Sequence, residues 1–132
     1  FSGNENFISD FENDAVESVG SALKELCTLP LSPDSRRIAV LSEVSDGDDH
    51  ELEIFRKVGN IINKANVNIT VCYGDISAKL METADLKNKF VIKLKSREAL
   101  TEFLKLNLRD NDAVLFKGSS NTDLDEIMTD VT

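Results

Sequence analysis

The chain has 132 residues, 41% hydrophobic and 30% charged, which is the size and balance of one soluble globular domain and not of a disordered tail. Its formal charge of -9 argues against nucleic acid and against an anionic membrane surface, because both are bound by clustered Lys and Arg, and the chain offers only short pairs such as Arg36-Arg37. No apolar run approaches the roughly 20 residues of a membrane span, and no signal peptide is visible.

Phe1 to Asn6 reads as a linker-like lead, and Phe7 to Phe11 as a short strand. Asn13 or Asp14 then caps a helix whose apolar positions Ala15, Val19, Ala22, Leu23 and Leu26 recur at three and four residues. Pro30 and Pro33 end it. Arg37 to Leu41 is a continuous apolar run after two basic residues, the pattern of a central parallel strand covered on both faces. An acidic loop, Ser42 to Asp49, leads into a helix carrying Leu52, Phe55, Val58, Ile61, Ile62 and Ala65, with Gly59 as a close-packing point.

Asn68 to Tyr73 is the next strand. Gly74-Asp75 turns it into a shorter helix through Ile76, Leu80 and Ala84, and Phe90 to Ile92 is a strand again. Ser96 with Glu98 caps an amphipathic helix on Leu100, Phe103 and Leu104. After a turn at Arg109 to Asn111, Ala113 to Phe116 forms a buried strand that runs into Lys117-Gly118-Ser119-Ser120. Asn121 or Thr122 then caps a final helix through Leu124, Ile127, Met128 and Val131.

Strict alternation of strand and helix with short connections selects an α/β domain over residues 7–132: a Rossmann-like, three-layer unit with a mostly parallel sheet of about five or six strands and helices on both faces. In such sheets ligands collect beyond the carboxyl ends of the strands. Four groups fall there: Asp10 with Asn13, Ser42 to Asp46, Tyr73 to Asp75, and Lys117 to Asn121. Polar turns end strands in any protein, so each group alone has a plain reading as loop.

Lys117 is the sharpest candidate. A cation beside Gly118 and a helix N-terminus can meet a phosphate or carboxylate; the plainer alternative is a surface lysine laying its stem along the fold. The acidic cluster Glu43, Asp46, Asp48 and Asp49 fits Mg²⁺ in kind, but the plainer reading is a solvated loop at a helix start, where acidic residues favour the dipole. His50 is the only histidine and has no cysteine near it, so no zinc or nucleophile constellation stands out. Cys27 and Cys72 read as buried thiols of a reducing, cytoplasmic compartment. No GxxxxGK[ST] occurs, so a triphosphate is not held by that device.

The segments ISDFENDAVESVGSALKEL, RRIAVLSEV, EIFRKVGNIINKANVNITVCYG and EALTEFLKLNLRDNDAVLFKGSSNTDLDEIM, in that order, resemble the C-terminal domain of the Mur ligases, from about Phe7 to about Met128. The most similar branch adds D-alanyl-D-alanine to a UDP-muramoyl tripeptide. The resemblance implies a three-domain, ATP-dependent amide ligase of peptidoglycan precursor synthesis. Its reaction passes through an acyl phosphate that an amine attacks. ATP and Mg²⁺ would sit mainly on a central domain outside this chain, and the present domain would close over them and over the amino acid or dipeptide substrate. With no Met at its start, the chain then reads as a piece of a longer protein, inactive alone.

Carried over position by position, Asp10, Asn13 and Ser18 match the family's first-strand motif, whereas its tyrosine, second asparagine and proline fall on Glu12, Ala15 and Val16. Glu43 stands for the aspartate of a glycine-rich loop, and Phe55 replaces a histidine ahead of the retained Val58-Gly59. The family's Lys-Gly-Ser-Arg becomes Lys117-Gly118-Ser119-Ser120. The expected nucleotide- and substrate-binding residues are therefore Asp10, Asn13, Glu43, Lys117, Gly118 and Ser119, with no catalytic residue and no metal ligand of its own. The lost positions keep a second reading open: a degenerate domain retained for packing or protein interaction, without catalysis. A third, a phospho-receiver of flavodoxin-like fold, rests on the acidic loop, Asp75 and Lys117.

Overall fold

A computed structural model of the chain describes residues 7–10, 16–30, 34–42, 51–74, 90–109, 111–117 and 124–131. The elements follow the expected order: β1 (Phe7–Asp10), α1 (Val16–Thr28), β2 (Arg37–Ser42), α2 (Glu51–Lys64), β3 (Ile69–Tyr73), β4 (Phe90–Leu94), α3 (Arg97–Asn107), β5 (Ala113–Lys117) and α4 (Leu124–Val131). The lead at 1–6, the capping positions Asn13, Asp14, Asn121 and Thr122, and the short helix expected through Ile76, Leu80 and Ala84 lie outside the described residues.

The five strands form one sheet in the order β1-β5-β2-β3-β4, with every neighbouring pair parallel. A flavodoxin-like order places the first strand inside the sheet. Here β1 stands at one side and pairs with β5, which removes the phospho-receiver reading.

Handedness explains where the helices go. The chain moves from β1 to β2 to β3 in one direction across the sheet, then turns back from β4 to β5. Right-handed crossovers put the helices of one direction on one face and those of the reverse direction on the other. Accordingly α1 and α2 share a core with Ala39, Leu41, Cys72, Ala113 and Leu115. On the opposite face α3 and α4 pack on Ile38, Val40, Val71, Val114 and Phe116. Odd and even positions of β2 and β5 thus feed two different cores, and both strands are buried almost throughout.

Local chemistry fixes the ends of these elements. Ser96 caps α3, its Oγ accepting the Ala99 N–H at 3.0 Å. Gly74 ends β3 at φ 90°, a left-handed conformation that a side chain would strain. Gly59 is buried in α2; the contact seen between α1 and α2 is at Gly20, where a Cβ would stand 3.7 Å from Ile61 Cδ1.

At the amino end of the sheet the two arginines read as a basic pair are both consumed by the fold. Arg36 donates from Nε to Asp112 Oδ1 at 3.1 Å and from Nη2 to Oδ2 at 2.6 Å, and Nη2 also meets the Asn107 carbonyl. The Arg109 N–H donates to the same carboxylate at 2.9 Å. Arg37 donates to the carbonyls of Leu26 and Leu29 at 3.2 and 2.9 Å, closing the C-terminus of α1.

Candidate functional site

The carboxyl end of the sheet gathers what the strand pattern expected there. Residues in register form a row across all five strands: Asp10, Lys117, Leu41, Cys72 and Lys93. One step further along, Ser42 pairs with Tyr73. Neighbouring strands lie about 4.8 Å apart, so Asp10 and Lys117 occupy adjacent backbone positions at the end of the β1–β5 pair. The insertion of β5 between β1 and β2 makes this juxtaposition; chain order alone separates the two residues by the whole domain.

Of the two readings its sequence context offered, the structure overturns the surface lysine for Lys117. Its side chain is fully buried. It continues the Ala113 and Leu115 face of β5, the side that α1 and α2 cover, and it is engaged by an interaction within the fold. A snorkelling surface lysine is thereby excluded, and so is an ammonium held out in solvent beyond the strand. Ser42 and Tyr73 are also buried at this end, 1% and 9% exposed.

Of the six residues expected to bind ligand, the structure describes Lys117 and the backbone of Asp10 and brings them together. Asn13, Glu43, Gly118 and Ser119 lie outside the described residues, as do Asp46, Asp48, Asp49, His50 and Asp75. Among the described residues no group of three or more His, Cys, Asp or Glu side chains stands close enough to hold a metal ion.

Cys72 sits in the same row as Lys117 and is fully buried. Desolvation pushes its thiol from 9.0 up to about 12, against a weaker opposing pull from Lys93, so the thiolate needed for nucleophilic or metal chemistry is suppressed. Cys27 is half-buried, and both cysteines are free.

Two grooves among the described residues lie away from this end. One of about 480 Å³ follows the flank of α3, with Arg97, Thr101 and Lys105 facing Asp130 of α4, on the opposite side of the sheet from the Lys117 side chain. Another of about 400 Å³ runs between α1 and α2 past Leu23, Cys27 and Ile61. Neither is lined by a residue expected to bind ligand. Among the described residues, no helix is long and apolar enough to cross a membrane.

The Arg36–Asp112 clamp is the well-built polar cluster that sequence reasoning missed. Its partners are 76 residues apart, and only the β2–β5 pairing brings them together.

No protein-family profile matches the chain. Solved structures do. The MurF ligase of Thermotoga maritima in complex with ADP matches 97% of this chain with a TM-score of 0.69 at 18% identity; the chain spans 28% of its length. A UDP-N-acetylmuramoyl-L-alanyl-D-glutamate--2,6-diaminopimelate ligase matches 97% of the chain with a TM-score of 0.68 at 14% identity, over 30% of its length. A domain attributed to a UDP-N-acetylmuramate:L-alanyl-gamma-D-glutamyl-diaminopimelate ligase of Haemophilus ducreyi matches 98% of the chain and 92% of its own, with a TM-score of 0.62 at 13% identity. The chain therefore has the fold of a domain of the Mur ligases, a parallel α/β unit that in those enzymes is part of a longer polypeptide.

Proposed function

We propose that this chain is the C-terminal domain of a Mur-ligase-like, ATP-dependent amide ligase of peptidoglycan precursor synthesis, nearest to the branch that adds D-alanyl-D-alanine to a UDP-muramoyl tripeptide. It works in the cytoplasm, docked on a central ATPase domain of the same protein, and it has no turnover alone. One observation carries this reading. In a fold like that of Mur ligase domains, Asp10 and Lys117, residues also named by the motif resemblance, pair in register at the carboxyl ends of β1 and β5, the side on which parallel sheets commonly bind ligands.

ATP and Mg²⁺ are assigned mainly to the central domain. The sequence here has no GxxxxGK[ST] loop. What this chain contributes is closure and positioning. Asp10, Asn13, Glu43, Gly118 and Ser119 are proposed to contact nucleotide and amino substrate by hydrogen bonds from the loops beyond β1, β2 and β5. Lys117, buried at the end of β5, supplies positive potential there and fixes the strand end.

The test is ATP-dependent amide formation by a longer natural chain containing these residues. Activity that needs residues 7–132 supports the reading, and a folded, full-length protein without activity on any muramoyl peptide overturns it.

The second reading, a degenerate domain kept for packing or protein interaction, is favoured by one specific feature. The Lys117 side chain, the sharpest candidate for a ligand contact, is fully buried.

A further inference from the structure

The side of the sheet away from β1 is closed by β4, which among the described residues pairs only with β3. The inner strands β2, β3 and β5 are buried almost from end to end, whereas β4 is exposed or half-exposed at every position and Phe90 is 65% exposed. In a strand the N–H and C=O of one residue point to the same side, and successive residues point to opposite sides. The Leu94 carbonyl faces β3, where it accepts the Gly74 N–H at 3.1 Å. Val91 and Lys93, out of phase with Leu94, therefore turn their backbone groups away from β3. A row of this kind is a template for a further strand.

Charge says which strand. The charges on and just beyond β4 are Lys93 and Lys95, with no Asp or Glu between Phe90 and Ser96, whereas Arg97 is held by Glu126 and Asp130. Lys93 and Lys95 are exposed and take part in no ion pair among the described residues. Lysines on an edge commonly guard it against pairing with a copy of itself, since two such edges repel. The same charges attract an acidic strand, and they do so on a protein whose overall charge is -9.

We propose that the outer edge of β4 is a docking edge for an extended, acidic segment of a partner protein, which adds to the sheet as a further strand beside Val91 and Lys93. The backbone groups provide the pairing and the lysines the selectivity. This inference does not depend on the ligase reading.

The probe is a capped eight-residue peptide of alternating Glu and Val, titrated into the isotopically labelled chain while backbone amide signals are followed; a Lys and Val peptide of the same length is the control. The expected result is shifts along Phe90 to Lys95 with the acidic peptide only, weakened at least tenfold by raised salt and abolished by Lys93→Glu with Lys95→Glu. Lys93→Pro, which removes an outward N–H and no ladder bond, should also abolish them. Should the proline variant fail to fold, the charge reversal at two exposed positions still decides. No shift, equal shifts with the lysine peptide, binding that survives charge reversal, or self-pairing through β4 seen by sedimentation would each overturn the proposal.

Discussion

Removing the Arg36 side chain should be among the most damaging changes outside the apolar core. Asp112 is 2% exposed and Arg36 20% exposed, and the carboxylate accepts two hydrogen bonds from the guanidinium and one from the Arg109 N–H. Arg36→Met strands a buried carboxylate with one donor left, a situation that typically costs 3–5 kcal/mol. Because the arginine keeps some contact with water, the lower end applies, about 3 kcal/mol. With a urea slope of about 1.5 kcal/mol/M for a domain of this size, the unfolding midpoint drops by about 2 M. The double variant Arg36→Met with Asp112→Leu removes the stranded charge and should recover most of that loss, leaving about 1 kcal/mol for the unpaired Arg109 N–H. Asp112→Leu alone leaves the same N–H unpaired and should cost about 1 kcal/mol, so a coupling energy of about 3 kcal/mol is expected in the resulting cycle. A single-variant midpoint shift under about 0.5 M, or losses that simply add, would refute the view that this clamp holds the β2–β5 pairing at its amino end.

Other consequences are smaller or reverse in sign. Gly20 lies inside α1 with ordinary contact distance to Ile61, so Gly20→Ala should stabilise the domain by about 0.5–1 kcal/mol in the same urea assay, and destabilisation would show that the α1–α2 contact is tighter than 3.7 Å implies. Thr70 is buried in β3 and its Oγ1 finds no hydrogen-bond partner; Thr70→Val, of nearly the same shape, should gain about 1 kcal/mol, and a loss would mean that the hydroxyl is satisfied in solution. For Cys72 the folded value of about 12 lies above the unfolded 9.0. Its contribution to stability is thus complete below pH 9 and is lost between about 9 and 12, by up to about 1.4 kcal/mol per pH unit. Cys72→Ala should remove that part of the alkaline slope, and iodoacetamide at pH 8 should label Cys27 well ahead of Cys72 in the folded protein. A Cys72 that alkylates as fast as Cys27 would contradict its burial.

The sequence made the layers of this fold legible because each strand carries its own burial code. In RIAVLS and AVLFK neighbouring residues enter opposite cores, so an uninterrupted apolar run already implies helices on both sides. The Ser96 cap was equally local: a side chain, a backbone donor three residues on, and nothing else to know. Strand order was not legible, because no local signal says that the last strand inserts between the first two; that follows from the reversal of direction after β4. The site suffered from the same limit. A lysine at a strand end beside a glycine reads as a ligand contact or a surface residue, and only the packing of α1 against β5 removes the surface reading by burying Lys117. The pairing of Arg36 with Asp112 was hidden for the same reason, being written into the β2–β5 register and not into any spacing along the chain.

The central claim is that the carboxyl end of this sheet serves a nucleotide-dependent ligase. Its most direct test is binding of a fluorescent ATP analogue, with and without Mg²⁺, to the longest natural chain containing these residues. Asn13→Ala and Lys117→Met are the variants to compare; methionine is preferred at 117 because alanine at a fully buried position would also open a cavity. Saturable, Mg²⁺-dependent binding that weakens at least tenfold in both variants, with their folds intact, is the expected result. A folded full-length protein that binds no nucleotide would contradict the claim and leave a Mur-ligase-like fold without the chemistry.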